Sequence, residues 1–116
     1  MHIRFLFYEE CPSHELALER LGEVLTEEGI DDTDVEVIKV ESEEQAQELH
    51  FVGSPTILIN GQDIDPPPPD SYYVLTCRAY RLEDGRISPL PSRGMIRRAL
   101  SAAAKAEPTD GSAGGG

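Results

Sequence analysis

The sequence predicts one small α/β domain in the order β-α-β-α-β-β-α, with a mixed sheet of about four strands flanked by helices. Short strand-like runs alternate with helical periodicities along the first half of the chain, and the pair Asn60-Gly61 follows the third run. Such alternation is typical of a sheet with helical crossovers, and Asn-Gly is typical of a tight hairpin. A chain of 116 residues can bury one modest core without a metal or a disulfide.

The first strand and the first helix follow from their residue patterns. Residues 3–8, Ile-Arg-Phe-Leu-Phe-Tyr, are apolar and aromatic enough for a buried strand. Pro12 stops this strand, and as a residue favoured in a first helical turn it is expected to begin the helix. The helix extends to about Glu28, and Gly29 supplies its C-terminal stop. Its apolar positions recur at helical spacing: Ala17, Leu18, Leu21, Val24 and Leu25.

The next elements continue the alternation of strands and helices. Residues 35–40 are predicted as the second strand, and a Ser-x-x-Gln capping box opens a short second helix over residues 42–49. Residues 56–59 form the third strand, and residues 62–64 begin a fourth strand that runs back. Because helical crossovers join parallel strands, we expect the first three strands to be parallel neighbours.

The second half of the chain has weaker signals until its last helix. The run Pro66–Pro69 indicates a stiff extended connector. Residues 72–82 are predicted to be extended, with a turn at Glu83-Asp84-Gly85. Ser92 is expected to cap a last helix whose inner face is Met95, Ile96, Ala99, Leu100 and Ala103. The domain is therefore assigned to residues 1–106, and residues 107–116 are predicted to be a disordered tail.

The charge of the chain limits its partners. The formal net charge is −12, and residues 1–50 hold 15 acidic residues against three basic ones. Such a surface repels nucleic acids and anionic lipids, so we expect neither a nucleic-acid nor a membrane partner. The acidic face is interpreted mainly as a solvated surface. No glycine loop for phosphate and no Cys-x-x-Cys zinc spacing is present, so no cofactor and no resident metal are predicted.

The cellular location bears on the two cysteines. No apolar run approaches the roughly 20 residues that cross a bilayer, and the first residues do not resemble a signal peptide. The sequence therefore predicts a cytoplasmic protein. Since that compartment is reducing, Cys11 and Cys77 are expected to be free thiols rather than a structural disulfide.

Cys11 is the residue most suggestive of chemistry. It lies where the first strand runs into the first helix, so its sulfur is expected to face unpaired backbone N–H groups and the positive end of the helix dipole. Both favour the thiolate, whereas Glu9 and Glu10 oppose it, and we expect the pKa of Cys11 to be lowered overall. His14, one helical turn on, is either a partner of the sulfur and proton shuttle or an ordinary exposed histidine.

Two motifs together resemble the thioredoxin-like superfamily. They are the Cys11-Pro12-Ser13-His14 junction between strand and helix, and Gly53-Ser54-Pro55-Thr56 before the third strand. The resemblance covers about residues 2–65, and residues 92–104 match the closing helix.

The resemblance implies a substrate site as well as a fold. It implies that Pro55 follows a cis peptide bond and faces the Cys11 sulfur across a narrow gap. It also implies that Ser54 and Thr56 offer backbone groups to an extended substrate, beside Pro12.

The chain departs from the family at the second position of the usual cysteine pair. His14 stands there, so exchange between two thiols within the motif is impossible. What remains is a monothiol oxidoreductase, in which Cys11 is the nucleophile and an outside thiol resolves the mixed disulfide. Its substrate would be a thiol or disulfide, either a small molecule or a protein.

Cys77 leaves three alternatives open. The fourth strand runs back towards the Cys11 end of the sheet, so the segment of Cys77 could lie close to Cys11. Cys77 would then be a resolving thiol, or the two sulfurs would bind a soft metal such as mercury, or an organomercurial, with His14 as a further ligand. Otherwise Cys77 is a small buried residue in a strand. A fold kept only as an interaction module, with an inactive thiol, is the remaining hypothesis.

Other polar residues carry weaker hypotheses. His50 is expected to cap the second helix. Tyr8 is interpreted as a half-buried strand residue or a border of the site. Arg78, Arg81 and Arg86 are expected to be solvated partners of the acidic half, or else to bind an anionic substrate.

Overall fold

The computed structural model describes residues 2–30 and 35–106, and the predicted tail at 107–116 lies outside these residues. The alternation of strands and helices in the first half of the chain is confirmed. The elements are β1 (Ile3–Phe7), α1 (His14–Glu27), β2 (Val35–Lys39), α2 (Glu43–Leu49), β3 (Thr56–Ile59), β4 (Gln62–Asp63), β5 (Tyr80–Arg81), β6 (Ile87–Ser88) and α3 (Arg93–Ala106).

The main sheet is mixed and has four strands in the order β2-β1-β3-β4. β1 is parallel to β2 but antiparallel to β3, so the predicted parallel arrangement is confirmed for the first two strands and is wrong for the third. Thr56, the first residue of β3, pairs with Leu6 near the end of β1, which is also where β2 ends. With seven residues, α2 is about 10 Å long and does not return the chain to the other end of the sheet.

The sheet separates two apolar clusters. One face packs against α1 and α3, and its buried residues are Ile3, Phe5, Ala17, Leu21, Val24, Leu25, Ile57, Ile59, Ile96 and Leu100. The other face packs against α2 through Leu6, Val40, Ala46 and Phe51. Neighbouring residues of β1 alternate between the clusters because successive side chains of a strand point to opposite faces. The predicted inner faces of the first and last helices are thereby confirmed.

The helix and turn signals are confirmed in their main features. Ser42 Oγ accepts from the Gln45 backbone N–H at 3.1 Å, and Ser92 Oγ accepts from the Met95 N–H at 3.1 Å. Asn60 and Gly61 have φ of 52° and 82°, the left-handed values of a type I′ hairpin turn. Pro12 is not the first helical residue, because a turn over Pro12 and Ser13 precedes α1.

The region before α3 differs from its prediction. Of residues 72–82, only Tyr80 and Arg81 form a strand, and this strand pairs with β6 rather than with the main sheet. Residues 72–76 lie in no strand, and Cys77 makes a single isolated bridge to Ser54. The predicted turn is confirmed, since the Gly85 N–H donates to the Leu82 carbonyl at 2.9 Å. Among the described residues, no helix combines the length and the apolar character needed to span a membrane.

Candidate functional site

Cys11 and Cys77 form a disulfide. Their Cα atoms are 5.8 Å apart across a sequence separation of 66, within the usual range for such bonds. The expectation of free thiols is therefore wrong, because the argument from compartment says nothing about where folding brings two sulfurs. The hypothesis that the Cys77 segment lies near Cys11 is confirmed.

The two cysteines differ in exposure. Cys11 is fully buried, while Cys77 is exposed, which rules out Cys77 as a small buried strand residue. Cys11 lies in the loop between β1 and α1, where its N–H donates to the Tyr8 carbonyl at 3.0 Å. It belongs to neither of the two apolar clusters. The disulfide therefore connects a covered sulfur to a residue at the protein surface.

Ser54 pairs with the segment that carries Cys77. Its N–H donates to the Thr76 carbonyl at 2.8 Å, and its carbonyl accepts from the Arg78 N–H at 2.8 Å. The same carbonyl oxygen lies 3.7 Å from the Cys11 Sγ. A disulfide sulfur has no proton to donate, whereas a reduced Cys11 thiol would donate to this oxygen, an interaction that favours the neutral thiol.

Arg78 anchors the segment on the other side of Cys77. Its guanidinium donates to both carboxylate oxygens of Asp63 at 3.0 Å and to the Asp65 carbonyl at 2.6 Å. It also donates to Thr56 Oγ1 at 3.3 Å. The Arg78 side chain is 6% exposed, so it is neither a solvated cation nor a free ligand for anions, and the prediction is wrong for this arginine, whereas Arg81 and Arg86 are exposed. Burial disfavours the charge, but Tyr80 and Asp63 outweigh it, and the pKa of Arg78 is raised.

Tyr80 contacts the loop that contains the cis peptide bond before Pro55. Its hydroxyl donates to the Pro55 carbonyl at 2.6 Å, and the Arg78 guanidinium lies 4.5 Å from its ring centroid. Burial raises the pKa of Tyr80, so the phenol stays protonated as a donor throughout the physiological range. Neither Arg78 nor Tyr80 is singled out by the sequence for this role. Their spacing of two was the available signal, because strand neighbours two apart share a face.

Gly53 permits the close approach of the two segments. Its φ is +139°, and a Cβ built there would lie 2.8 Å from Arg78 Cα and 2.9 Å from Arg78 N. No other residue fits this contact without moving the chain. The position was not predicted as part of the site, although a glycine beside a functional loop is often a sign of close backbone approach.

The loop predicted to bind substrate is covered by the chain itself. The peptide bond between Ser54 and Pro55 is cis, as the resemblance implies. Ser54, Pro55 and Thr56 are buried. Residues 76–80 cover them, and both backbone hydrogen-bonding groups of Ser54 are used internally. In this disulfide form, an extended substrate could reach them only by displacing that segment.

His14 contacts Cys11 through its backbone, since its N–H donates to the Cys11 carbonyl at 3.4 Å. Its ring stacks on Phe7, with ring centroids 4.5 Å apart and planes inclined by 28°. Within residues 2–30 and 35–106, no hydrogen bond or ion pair joins the imidazole to Cys11, so its role as a thiol partner stays a prediction. Pro12 is exposed beside it. Tyr8 is half-buried, as one of the two interpretations had it.

His50 caps the second helix through its backbone. It has a left-handed conformation with φ of 55°, and its N–H donates to the Gln47 carbonyl at 3.3 Å. Its ring stacks on Tyr73 with centroids 4.7 Å apart. This confirms the predicted position at the helix end.

An open groove of about 550 Å³ lies at the surface of Cys77. The proline-rich connector forms one wall through Pro66, Pro67 and Pro68. Tyr72 and Ile87, which are 83% and 58% exposed, contribute apolar surface. The groove gives a molecule in solution access to the Cys77 side of the disulfide.

The described part of the chain contains no group of three or more His, Cys, Asp or Glu side chains placed to hold a metal ion. His14 is thus not gathered with the two sulfurs into a three-ligand site.

Comparisons with protein-family models, with curated proteins and with solved structures found no match to this chain. The function of the protein is therefore inferred from the geometry of the site.

Proposed function

We propose that this protein is a thioredoxin-like thiol–disulfide oxidoreductase whose redox pair is Cys11 and Cys77. The observation that carries the proposal is the bond between a buried cysteine at the start of α1 and a cysteine at the surface of an open groove. The order β1-α1-β2-α2-β3-β4-α3, with the β5-β6 pair inserted before α3, and the cis bond before Pro55 support the thioredoxin-like assignment.

The pair changes the expected mechanism from one thiol to two. A monothiol protein needs an outside thiol to resolve its mixed disulfide. Here the second sulfur of the chain is already within bonding distance, so resolution is intramolecular. Reduction of the protein consumes two substrate thiols and yields one substrate disulfide, and the reverse reaction reduces a substrate disulfide.

A soft-metal site is a second candidate, and the same proximity of sulfurs favours it. After reduction, the two thiolates could bind one thiophilic ion such as Hg²⁺. A titration of the reduced protein with mercuric ion tests this. Two-thiolate binding predicts one ion per chain and a large loss of affinity in Cys77→Ser, whereas unchanged affinity in the variant would exclude it.

A turnover assay distinguishes a redox-active disulfide from a purely structural one. The experiment measures NADPH consumption in an assay coupled through glutathione reductase: the protein transfers electrons from reduced glutathione to hydroxyethyl disulfide, and the reductase uses NADPH to reduce the oxidised glutathione that forms. We expect turnover in the wild type and a lower rate in both Cys11→Ser and Cys77→Ser, since each variant depends on glutathione to resolve its mixed disulfide. Rates equal to the uncatalysed reaction in all three proteins would contradict the proposal.

Stability provides the comparison for that assay. In the chain-entropy treatment, a disulfide over a sequence separation of 66 stabilises the fold by about 4 kcal/mol. A staple without redox function would show this loss on reduction and no turnover. An interaction module would keep its binding partner in both serine variants.

A further inference from the structure

We infer that external thiols attack the sulfur of Cys77, and that Cys11 is the leaving group and the resolving thiol. This inference rests on the proposed redox function. It assigns the covalent intermediate to Cys77, the opposite of the assignment to Cys11 that the sequence motif suggests.

Access to the two sulfurs decides the direction. Thiol–disulfide exchange requires the attacking thiolate to approach one sulfur from the side opposite the other. Cys11 is fully buried, and its sulfur is covered by the Ser54 carbonyl at 3.7 Å. Attack there would displace the Ser54 backbone, which holds two hydrogen bonds at 2.8 Å.

Attack at Cys77 requires no such displacement. Cys77 is exposed and borders the groove formed with Pro66–Pro68, Tyr72 and Ile87. The groove is open to solvent, and its charged lining residues are one carboxylate, Asp65, and two arginines, Arg78 and Arg81, so the lining as a whole does not repel a thiolate. A thiol can therefore reach Cys77 while the apolar clusters and the Ser54 contacts stay in place.

Reduction of the protein disulfide by two substrate thiols takes place in two exchange steps. A substrate thiolate bonds to Cys77 Sγ, the bond between Cys77 and Cys11 breaks, and its electron pair leaves on Cys11 as a thiolate. A second substrate thiolate attacks the substrate sulfur of the mixed disulfide, which releases the substrate disulfide and leaves Cys77 as a thiolate. Both cysteine thiolates then take protons from water, and two electrons have passed from substrate to protein.

The Arg78 anchor keeps the intermediate productive. Arg78 follows Cys77 directly and is bonded to Asp63 and the Asp65 carbonyl, contacts that do not involve either sulfur. Cys77 therefore remains beside Cys11 after the disulfide breaks. In the direction in which the protein reduces a substrate disulfide, Cys77 forms the mixed disulfide and Cys11 then attacks Cys77 Sγ, which re-forms the protein disulfide and releases the substrate thiolate in an intramolecular step that is fast relative to an outside thiol.

The first experiment uses the wild-type disulfide form. The protein is mixed briefly with excess 2-mercaptoethanol, quenched with acid to stop return attack and digested with pepsin at low pH, and mass spectrometry locates the adduct. We expect the mercaptoethanol adduct on Cys77 and a free thiol at Cys11. The reverse distribution would overturn the inference while leaving the redox function intact.

The second experiment uses the two serine variants with oxidised glutathione. Cys11→Ser is expected to form a stable glutathione adduct at Cys77, and Cys77→Ser to react at least about tenfold more slowly, since its remaining sulfur is covered. Equal rates, or a faster reaction of Cys77→Ser, would contradict the inference. If both variants react as expected but the wild type shows no turnover, the redox proposal fails and the accessibility of Cys77 stands.

Discussion

The carbonyl oxygen of Ser54 accepts a hydrogen bond from the backbone N–H of Arg78 at 2.8 Å. Through this contact the segment that carries Cys77 is paired with the loop that contains the cis bond. The same carbonyl oxygen lies 3.7 Å from Cys11 Sγ. The disulfide is therefore one of several attachments between these two segments. Each of the other attachments can be tested by a substitution that leaves both sulfurs in place.

Gly53→Ala should destabilise the protein by about 1–3 kcal/mol, because the added Cβ meets Arg78 backbone atoms and the residue keeps a positive φ. Urea denaturation of the disulfide form measures the effect. The control is Gly22→Ala in α1, where a Cβ meets nothing within 4 Å, and which should stabilise by about 0.5–1 kcal/mol. Equal effects at the two positions would contradict the close approach.

Arg78→Met should cost about 3–5 kcal/mol, because it leaves the Asp63 carboxylate without its partner in a nearly buried place. We expect the same substitution to slow re-formation of the disulfide after reduction, since Cys77 loses its anchor. Arg86→Met is the matched control, because Arg86 pairs with Asp84 at the surface. It should leave both the urea midpoint and the rate of disulfide formation unchanged.

Tyr80→Phe removes the donor to the Pro55 carbonyl and leaves that buried oxygen without its phenol partner. The expected loss of unfolding free energy is about 1–3 kcal/mol. Tyr72→Phe, at a ring that is 83% exposed, should change it by less than about 0.5 kcal/mol. A loss of the same size in both variants would argue against the buried hydrogen bond.

Removal of the Ser54 hydroxyl should not lower the free energy of unfolding, whereas removal of the Thr56 hydroxyl should lower it. In the described residues Ser54 Oγ is the buried side-chain oxygen that has no hydrogen-bond partner, whereas Thr56 Oγ1 donates to the Gly53 carbonyl at 2.6 Å and accepts from Arg78. Ser54→Ala is expected to leave the disulfide form as stable as the wild type or up to about 1 kcal/mol more stable.

Thr56→Ser is the conservative companion, since it keeps the hydroxyl, and Thr56→Ala should destabilise by about 1–3 kcal/mol. Thermal or urea denaturation compares the three variants. A destabilisation by Ser54→Ala as large as that by Thr56→Ala would show that the Ser54 hydroxyl has a partner in solution.

Local signals account for the elements that the sequence predicts well. The caps at Ser42 and Ser92 and the turn at Asn60-Gly61 depend only on neighbouring residues, so they can be recognised without knowing the fold. The same holds for the inner face of α3. The direction of β3 is different, because it depends on how far α2 carries the chain and not on any residue of β3.

The sequence predicts the local features of the site but not the pairings between distant positions. The position of Cys11 before α1 follows from a contiguous motif, and the cis bond before Pro55 is what the resemblance to the thioredoxin-like superfamily implies. The bond to Cys77 and the pairing of Arg78 with Asp63 link positions that are distant in sequence, and nothing local identifies such partners. Residues 72–82 are mostly apolar but contain Arg78 and Arg81, and an arginine in such a segment could have been recognised as a buried ion-pair candidate.

The pairing of Arg78 with Asp63 closes the proline-rich connector at its base, independently of sulfur chemistry. The ends of this loop are therefore expected to stay together whether the cysteines are oxidised or reduced. Electron transfer would then alter the reactivity at the mouth of the groove while the outline of the molecule stays the same. A partner that recognises shape alone would bind both redox states equally, and only a partner that reacts with the sulfur would distinguish them.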